Sequence, residues 1–123
     1  MFTISKEFHF SASHVLHGLP EGHQCGRLHG HNYIVVVELS ALEVDDRGFV
    51  MDYGDLGPLK GFIDATLDHR HLNDLPQFED GQRNPTAEEL ALWLYAKATV
   101  EWGWPVAGIG VSETPKTWAW YRA

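Results

Sequence analysis

The alternation of apolar and polar side chains is clearest at the start of the chain. Phe2, Ile4, Phe8 and Phe10 fall on one parity, and Thr3, Ser5, Glu7 and His9 on the other. That period of two predicts a half-buried strand over 2–10. The same parity continues through Ala12 to His14, so a longer strand carries His14 on its apolar face. A polar stretch broken by Gly18, Pro20, Gly22 and Gly26 reads as a loop from about 15 to 28. The next run, from about 29 to 42, is rich in β-branched residues and predicts a second strand. His29, His31, Tyr33, Val35, Val37 and Leu39 share one of its faces.

Residues 43–48 predict a turn with Asp46-Arg47-Gly48 at its tip, and 49–52 a short return. Asp55 is a candidate helix cap. Leu56, Leu59, Phe62, Ile63 and Leu67 then recur at helical spacing, and the helix is expected to end by about Asp68. Residues 69–85 read as a connection. Thr86 with Glu89 forms a capping box. Leu90, Trp93, Leu94 and Val100 continue that helix to about Trp102, where Gly103 and Pro105 stop it. Strands are expected over 106–113 and 117–122, joined by a Thr114-Pro115-Lys116 turn. The expected order is ββααββ: an α+β domain spanning 1–123, with a four-stranded antiparallel sheet and two helices on one face. The two free edges of so small a sheet would be removed by oligomerisation into a barrel.

Composition narrows the partners. The net charge of -8 argues against a nucleic-acid partner. No apolar run approaches a membrane span, so no membrane partner is expected. The single cysteine has no internal disulfide partner, and residues 1–7 lack a basic-then-apolar leader layout. A cytoplasmic protein is expected.

Eight histidines are many for 123 residues. His14, His29 and His31 form the candidate metal site, because three imidazoles with one open position suit a catalytic zinc. A bare His-x-His is also common in surface turns, so this pattern is weak alone. Cys25 sits in a polar, Gly-containing loop nearby and is a candidate base or nucleophile; a free cysteine is more often a small buried hydrophobe. Asp68 could orient His69 for proton transfer. The plainer reading, a turn cap beside a solvated ring, is the one that the chemistry alone favours. Glu113 ends an apolar strand face and is either a solvated strand end or a bidentate acceptor for an amidine-like edge. Trp93, Trp118 and Trp120 are expected in the core or a subunit contact. His9, His17, His23 and His71 are expected on the surface or in loops.

Six segments together resemble the 6-pyruvoyltetrahydropterin synthase family. They are Phe10-Ser11-Ala12-Ser13-His14, Cys25 through Tyr33, Val50 through Leu56, Leu67-Asp68-His69 with Leu72-Asn73, Asn84-Pro85-Thr86-Ala87-Glu88, and Ser112-Glu113-Thr114. The short Cys25-x-x-x-His29-Gly30-His31 spacing resembles the family's bacterial branch, the 6-carboxytetrahydropterin synthases of queuosine biosynthesis. The resemblance implies a tunnelling fold with subunit sheets paired into a barrel, and a homo-oligomer, often a hexamer, with active sites at subunit interfaces. It implies one zinc per subunit on His14, His29 and His31. It implies proton transfer by Cys25, Asp68 and His69, and a pterin ring anchored by Glu113. The implied reaction takes 7,8-dihydroneopterin triphosphate to 6-carboxy-5,6,7,8-tetrahydropterin, acetaldehyde and triphosphate. The alternatives are the pyruvoyl synthase reaction and a zinc- or pterin-binding protein without turnover. Arg27, His17 and Lys116 are the candidate triphosphate contacts, on charge and loop position.

Overall fold

A computed structural model describes residues Met1–Ala123. The long strands β1 (Phe2–His14) and β2 (His29–Ala41) pair antiparallel in unbroken register, from Phe2 opposite Ala41 to His14 opposite His29. β4 (Val106–Thr114) lies on the other side of β2, and β5 (Thr117–Tyr121) on the far side of β4, both antiparallel. A fifth strand, β3 (Arg70–His71), runs parallel to β1 at the opposite edge, with Ala12 beside Arg70 and Ser13 beside His71. The sheet is therefore five-stranded and mixed, in the order β3-β1-β2-β4-β5, and not the four-stranded antiparallel sheet expected. A two-residue strand has no side-chain period to betray it. His71, expected on the surface or in a loop, belongs to this strand and bonds Ser13 Oγ through Nδ1 at 3.0 Å.

The first helical segment begins as a 3-10 turn, Tyr53–Leu56, becomes α1 (Gly57–Phe62), and closes in a π turn, Ile63–Leu67. Its cap is Asp52 and not Asp55: Asp52 Oδ1 accepts from the Gly54 N–H at 2.8 Å. The chain turns helical earlier than the apolar period does, because the opening turn carries no buried residue before Leu56. The expected return strand at 49–52 is absent. The Asp45 carboxylate instead closes a loop by accepting from the Arg47 and Phe49 N–H groups.

α2 (Ala87–Ala96) is capped by Thr86, whose Oγ1 accepts from the Glu89 N–H at 3.1 Å. The reciprocal half of the capping box is missing, since the Thr86 N–H donates to Asn84 C=O. A π turn, Lys97–Glu101, follows α2. Its extra residue per turn rotates the face, so Ala98 is buried and Val100, expected in the apolar stripe, is 82% exposed.

Both helical segments cover one face of the sheet. Tyr33, Val35, Val37 and Leu39 of β2 are wholly buried beneath them, with Phe8 and Phe10 of β1 and Ile109 and Val111 of β4. Trp93 joins this core, edge-on to Phe62 and Phe78. Trp118 and Trp120 do not; they stack on each other and are 42% and 40% exposed. The Trp120 ring lies across Gly110, where a Cβ would come within 2.7 Å of it.

Candidate active site

The metal candidates come together through strand register alone. His14 is the last residue of β1 and pairs with His29, the first of β2; Ala12 pairs with His31. All three rings emerge on the helix-covered face at one end of the sheet. Their ligand nitrogens lie within 4.8 Å of one another.

Backbone carbonyls fix the tautomers of two rings. His14 Nδ1 donates to Pro85 C=O at 2.8 Å, and His29 Nδ1 donates to Arg27 C=O at 2.6 Å. Each Nε2 is then left with a lone pair. These two Nε2 atoms are 2.9 Å apart. Two lone pairs facing at that distance repel unless a proton or a cation lies between them. The Nε2 of His31 is buried without a hydrogen-bond partner. Glu113 Oε2 approaches it to 3.0 Å, but not in hydrogen-bonding alignment. Imidazole nitrogens suit first-row transition metals, whereas calcium and magnesium take oxygen ligands. The donor set therefore fits a transition metal such as zinc.

Burial lowers the pKa of His14 below the ordinary value. The Pro85 carbonyl and Glu113 oppose the shift, and the two neighbouring histidines add to it. Burial also lowers His31, against the attraction of Glu113. Tyr33 lies beneath, with its hydroxyl 3.4 Å from His14 Nδ1; burial pushes its pKa well up.

Cys25 sits in a short 3-10 turn, Gln24–Gly26. His23 caps that turn, its ring Nδ1 accepting from the Cys25 N–H at 3.0 Å. The half-buried thiol borders a cleft of about 700 Å³ together with His29, His31 and Glu113. Glu113 is tied to the start of α2, where its Oε1 accepts from the Ala87 N–H at 3.3 Å. Trp118 and Trp120 also line this cleft.

Asp68 and His69 lie elsewhere. Asp68 Oδ1 accepts from the Ser11 N–H at 3.0 Å, and the His69 N–H donates to Ser11 C=O at 2.6 Å. His69 is the only non-glycine residue with positive φ, +58°. That left-handed turn lets neighbouring side chains meet, and Asp68 Oδ2 stands 2.9 Å from His69 Nδ1. The Ser11 N–H, and after it the His69 ring, hold the Asp68 carboxyl below its usual pKa. The Asp68–His69 pair is therefore made, although chemistry alone favoured a cap beside a free ring. Its imidazole is 83% exposed and borders a second cleft, of about 470 Å³, with Ser11, Ser13 and Asn32. Within one chain, the thiol and this pair do not share a cleft. Arg27 and His17 line a third, of about 290 Å³, and Lys116 is exposed in the β4–β5 turn.

The family model for 6-pyruvoyl tetrahydropterin synthase matches residues 3–123. The chain belongs to that family. A 6-carboxy-5,6,7,8-tetrahydropterin synthase of Bacillus subtilis is 32% identical, over 98% of this chain and 85% of the relative. One from Synechocystis is 39% identical over 79% of this chain and 74% of the relative. The structure of Caenorhabditis elegans 6-pyruvoyl tetrahydropterin synthase superposes with a TM-score of 0.84 at 28% identity, covering 99% of this chain and 95% of the other. As a member of the 6-pyruvoyl tetrahydropterin synthase family, the chain is a lyase of the tetrahydropterin synthase type. No helix is long and apolar enough to cross a membrane.

Site residues that pattern reading passed over are Tyr33 and Pro85, which touch His14, and His23, which holds the Cys25 turn. Tyr33 and Pro85 had a signal: Tyr33 shares the strand face of His29 and His31, and both lie in segments that resemble the synthase family. The lowered histidine pKa values carry a stability consequence. Metal-free protein keeps its full stability above the unfolded histidine pKa of about 6.5 and loses it as pH falls, because the unfolded chain takes up protons more readily than His14 and His31 do in the fold. The slope reaches at most about 1.4 kcal/mol per pH unit per ring. Melting of chelator-treated protein between pH 7.5 and 5.5 is expected to show a falling Tm. A flat Tm would mean that both rings accept protons within the fold.

Proposed function

We propose that the chain is a zinc-dependent lyase that converts 7,8-dihydroneopterin triphosphate to 6-carboxy-5,6,7,8-tetrahydropterin, acetaldehyde and triphosphate, in the queuosine pathway. The observation that carries this reading is the convergence of two Nε2 lone pairs and the unpartnered Nε2 of His31 on one wall of a cleft that also holds a thiol and a carboxylate. The curated relatives bear the name of the carboxy enzyme. The short spacing from Cys25 to His29 resembles that branch.

Each residue has a role in this proposal. His14, His29 and His31 hold one zinc per subunit. Bound there, zinc would polarise the substrate's side-chain hydroxyls and acidify the adjacent carbons. Cys25, as thiolate, takes a proton from the side chain. His69, held in its tautomer by Asp68, gives or takes a proton from the other face. Glu113 accepts from the amino-pyrimidine edge of the pterin and fixes its distance from the metal. Arg27 and His17 contact the triphosphate. The thiol and the Asp68–His69 pair reach one substrate by meeting across a subunit contact, which calls for a tunnelling-fold homo-oligomer, a hexamer built as a dimer of trimers. The unpaired outer edges of β3 and β5 are the edges such a barrel would close. We place the enzyme in the cytoplasm, in keeping with its single free thiol.

The test is mass spectrometry of the products formed by zinc-loaded protein from dihydroneopterin triphosphate. Carboxytetrahydropterin and acetaldehyde are expected. A pyruvoyl product would move the chain to the branch named by the family model and by the nematode structure. Zinc binding without any product would leave a binding protein.

A further inference from the structure

β1 stops at His14, and its ladders stop with it. The last pairs are His14 with His29 on one side and Ser13 with His71 on the other. Val15, Leu16 and His17 run on beyond the last strand pair, yet their backbone groups are paired, save for Leu16 C=O. The Val15 N–H donates to Asn73 Oδ1 at 2.9 Å, and Val15 C=O accepts from Asn73 Nδ2 at 2.9 Å. The His17 N–H donates to Asn84 Oδ1 at 2.8 Å, and His17 C=O accepts from Asn84 Nδ2 at 2.9 Å. Between them, the Leu16 N–H donates to Cys25 C=O at 3.0 Å. Two side-chain amides thus take the place of a neighbouring strand's peptide groups, at alternate residues, along a strap that leaves a metal-site histidine and binds the thiol turn. Asn84 is also next to Pro85, whose carbonyl fixes the His14 ring.

We propose that Asn73 and Asn84 are positioning residues: by clamping the Val15–His17 strap they hold the His14 ring in its ligand orientation and the Cys25 turn beside it. The inference rests on the metal reading of the three histidines. Val15 is half-buried and His17 exposed, so water replaces the lost hydrogen bonds when the clamp is removed. Global stability then changes little, while the end of β1 gains freedom next to a ligand. Outer partners of metal ligands set affinity in this way.

Asn73→Ala and Asn84→Ala would be compared with the parent, and with Asn84→Asp, which keeps the acceptor and the shape but loses the donor. The readouts are zinc affinity by chelator competition, the visible spectrum of the cobalt-loaded protein, the rate of Cys25 alkylation, and Tm without metal. Ile63→Val, a core change remote from the strap, is the control for simple destabilisation. The alanine variants are expected to bind zinc roughly 10- to 100-fold more weakly, with Asn84→Asp between them and the parent. Their cobalt spectrum is expected to shift and their thiol to alkylate faster, with Tm falling no further than in the control. Parental affinity and spectrum in both alanine variants would overturn the proposal, and so would an equal loss of affinity in Ile63→Val. A parent that bound no zinc would overturn the metal reading instead, and unchanged alkylation of Cys25 would then overturn the clamp as well.

Discussion

Replacing His29 with alanine is expected to cost more zinc affinity than the ~100-fold that an outer partner costs, because a direct ligand is lost, and to take turnover below detection. His29 is the better probe than His14. His14 is wholly buried against Tyr33, so its removal would leave a cavity and confuse loss of metal with loss of fold. His29 is half-buried at the first position of β2, and its ring makes one backbone bond, to Arg27 C=O. Its truncation removes the 2.9 Å confrontation of lone pairs with His14, so the metal-free variant should be no less stable than the metal-free parent. Metal content, chelator competition and turnover measure the effect, with His9→Ala, an exposed ring elsewhere on β1, as the unaffected control. Full zinc occupancy in His29→Ala would remove the three-histidine site.

The three-histidine cluster was legible in the sequence because its convergence depends on strand parity. Phe8, Phe10, Ala12 and His14 share a parity that burial confirms, and half-buried His29 and His31 alternate with exposed Gly30 and Asn32 on the parity of buried Tyr33. Antiparallel pairing of the two runs then places His14 opposite His29. What stayed hidden is made by backbone geometry. β3 is held by peptide pairing over two residues and has no apolar period. The meeting of Asp68 with His69 was named from the sequence as a candidate, but the left-handed backbone at His69 that makes it was not. The π turn after α2 moves the buried face from Val100 to Ala98. The asparagine clamps act through amides that mimic peptides, so nothing in their spacing announces them. Glu113 was legible as a carboxylate in need of a partner. In the fold it already has two neighbours, the Ala87 N–H and the His31 ring, and a pterin edge would have to compete with the first or reorient the second.

Mixing two inactive variants is expected to restore activity. Cys25→Ala and His69→Ala are each expected to lower kcat by about 10²- to 10⁴-fold, the usual worth of a placed acid or base. Both should keep their zinc, since neither side chain is one of the three clustered nitrogens. In a single chain Cys25 borders the cleft with Glu113, while His69 borders the one with Ser11 and Asn32, and His31 of β2 stands in the wall of both. The two groups therefore border different clefts, with His31 lining each. If both groups serve one turnover, a subunit contact must bring the His69 cleft of one chain over the Cys25 cleft of the next. In an equimolar random mixture, about a quarter of the Cys25–His69 pairings across such a contact would join an intact Cys25 to an intact His69. Co-refolding the two variants should then recover roughly that share of parental turnover, and mixing without dissociation should recover none. A co-refolded mixture as inactive as its parts would place both proton-transfer groups on the same chain's substrate, or remove one of them from the reaction.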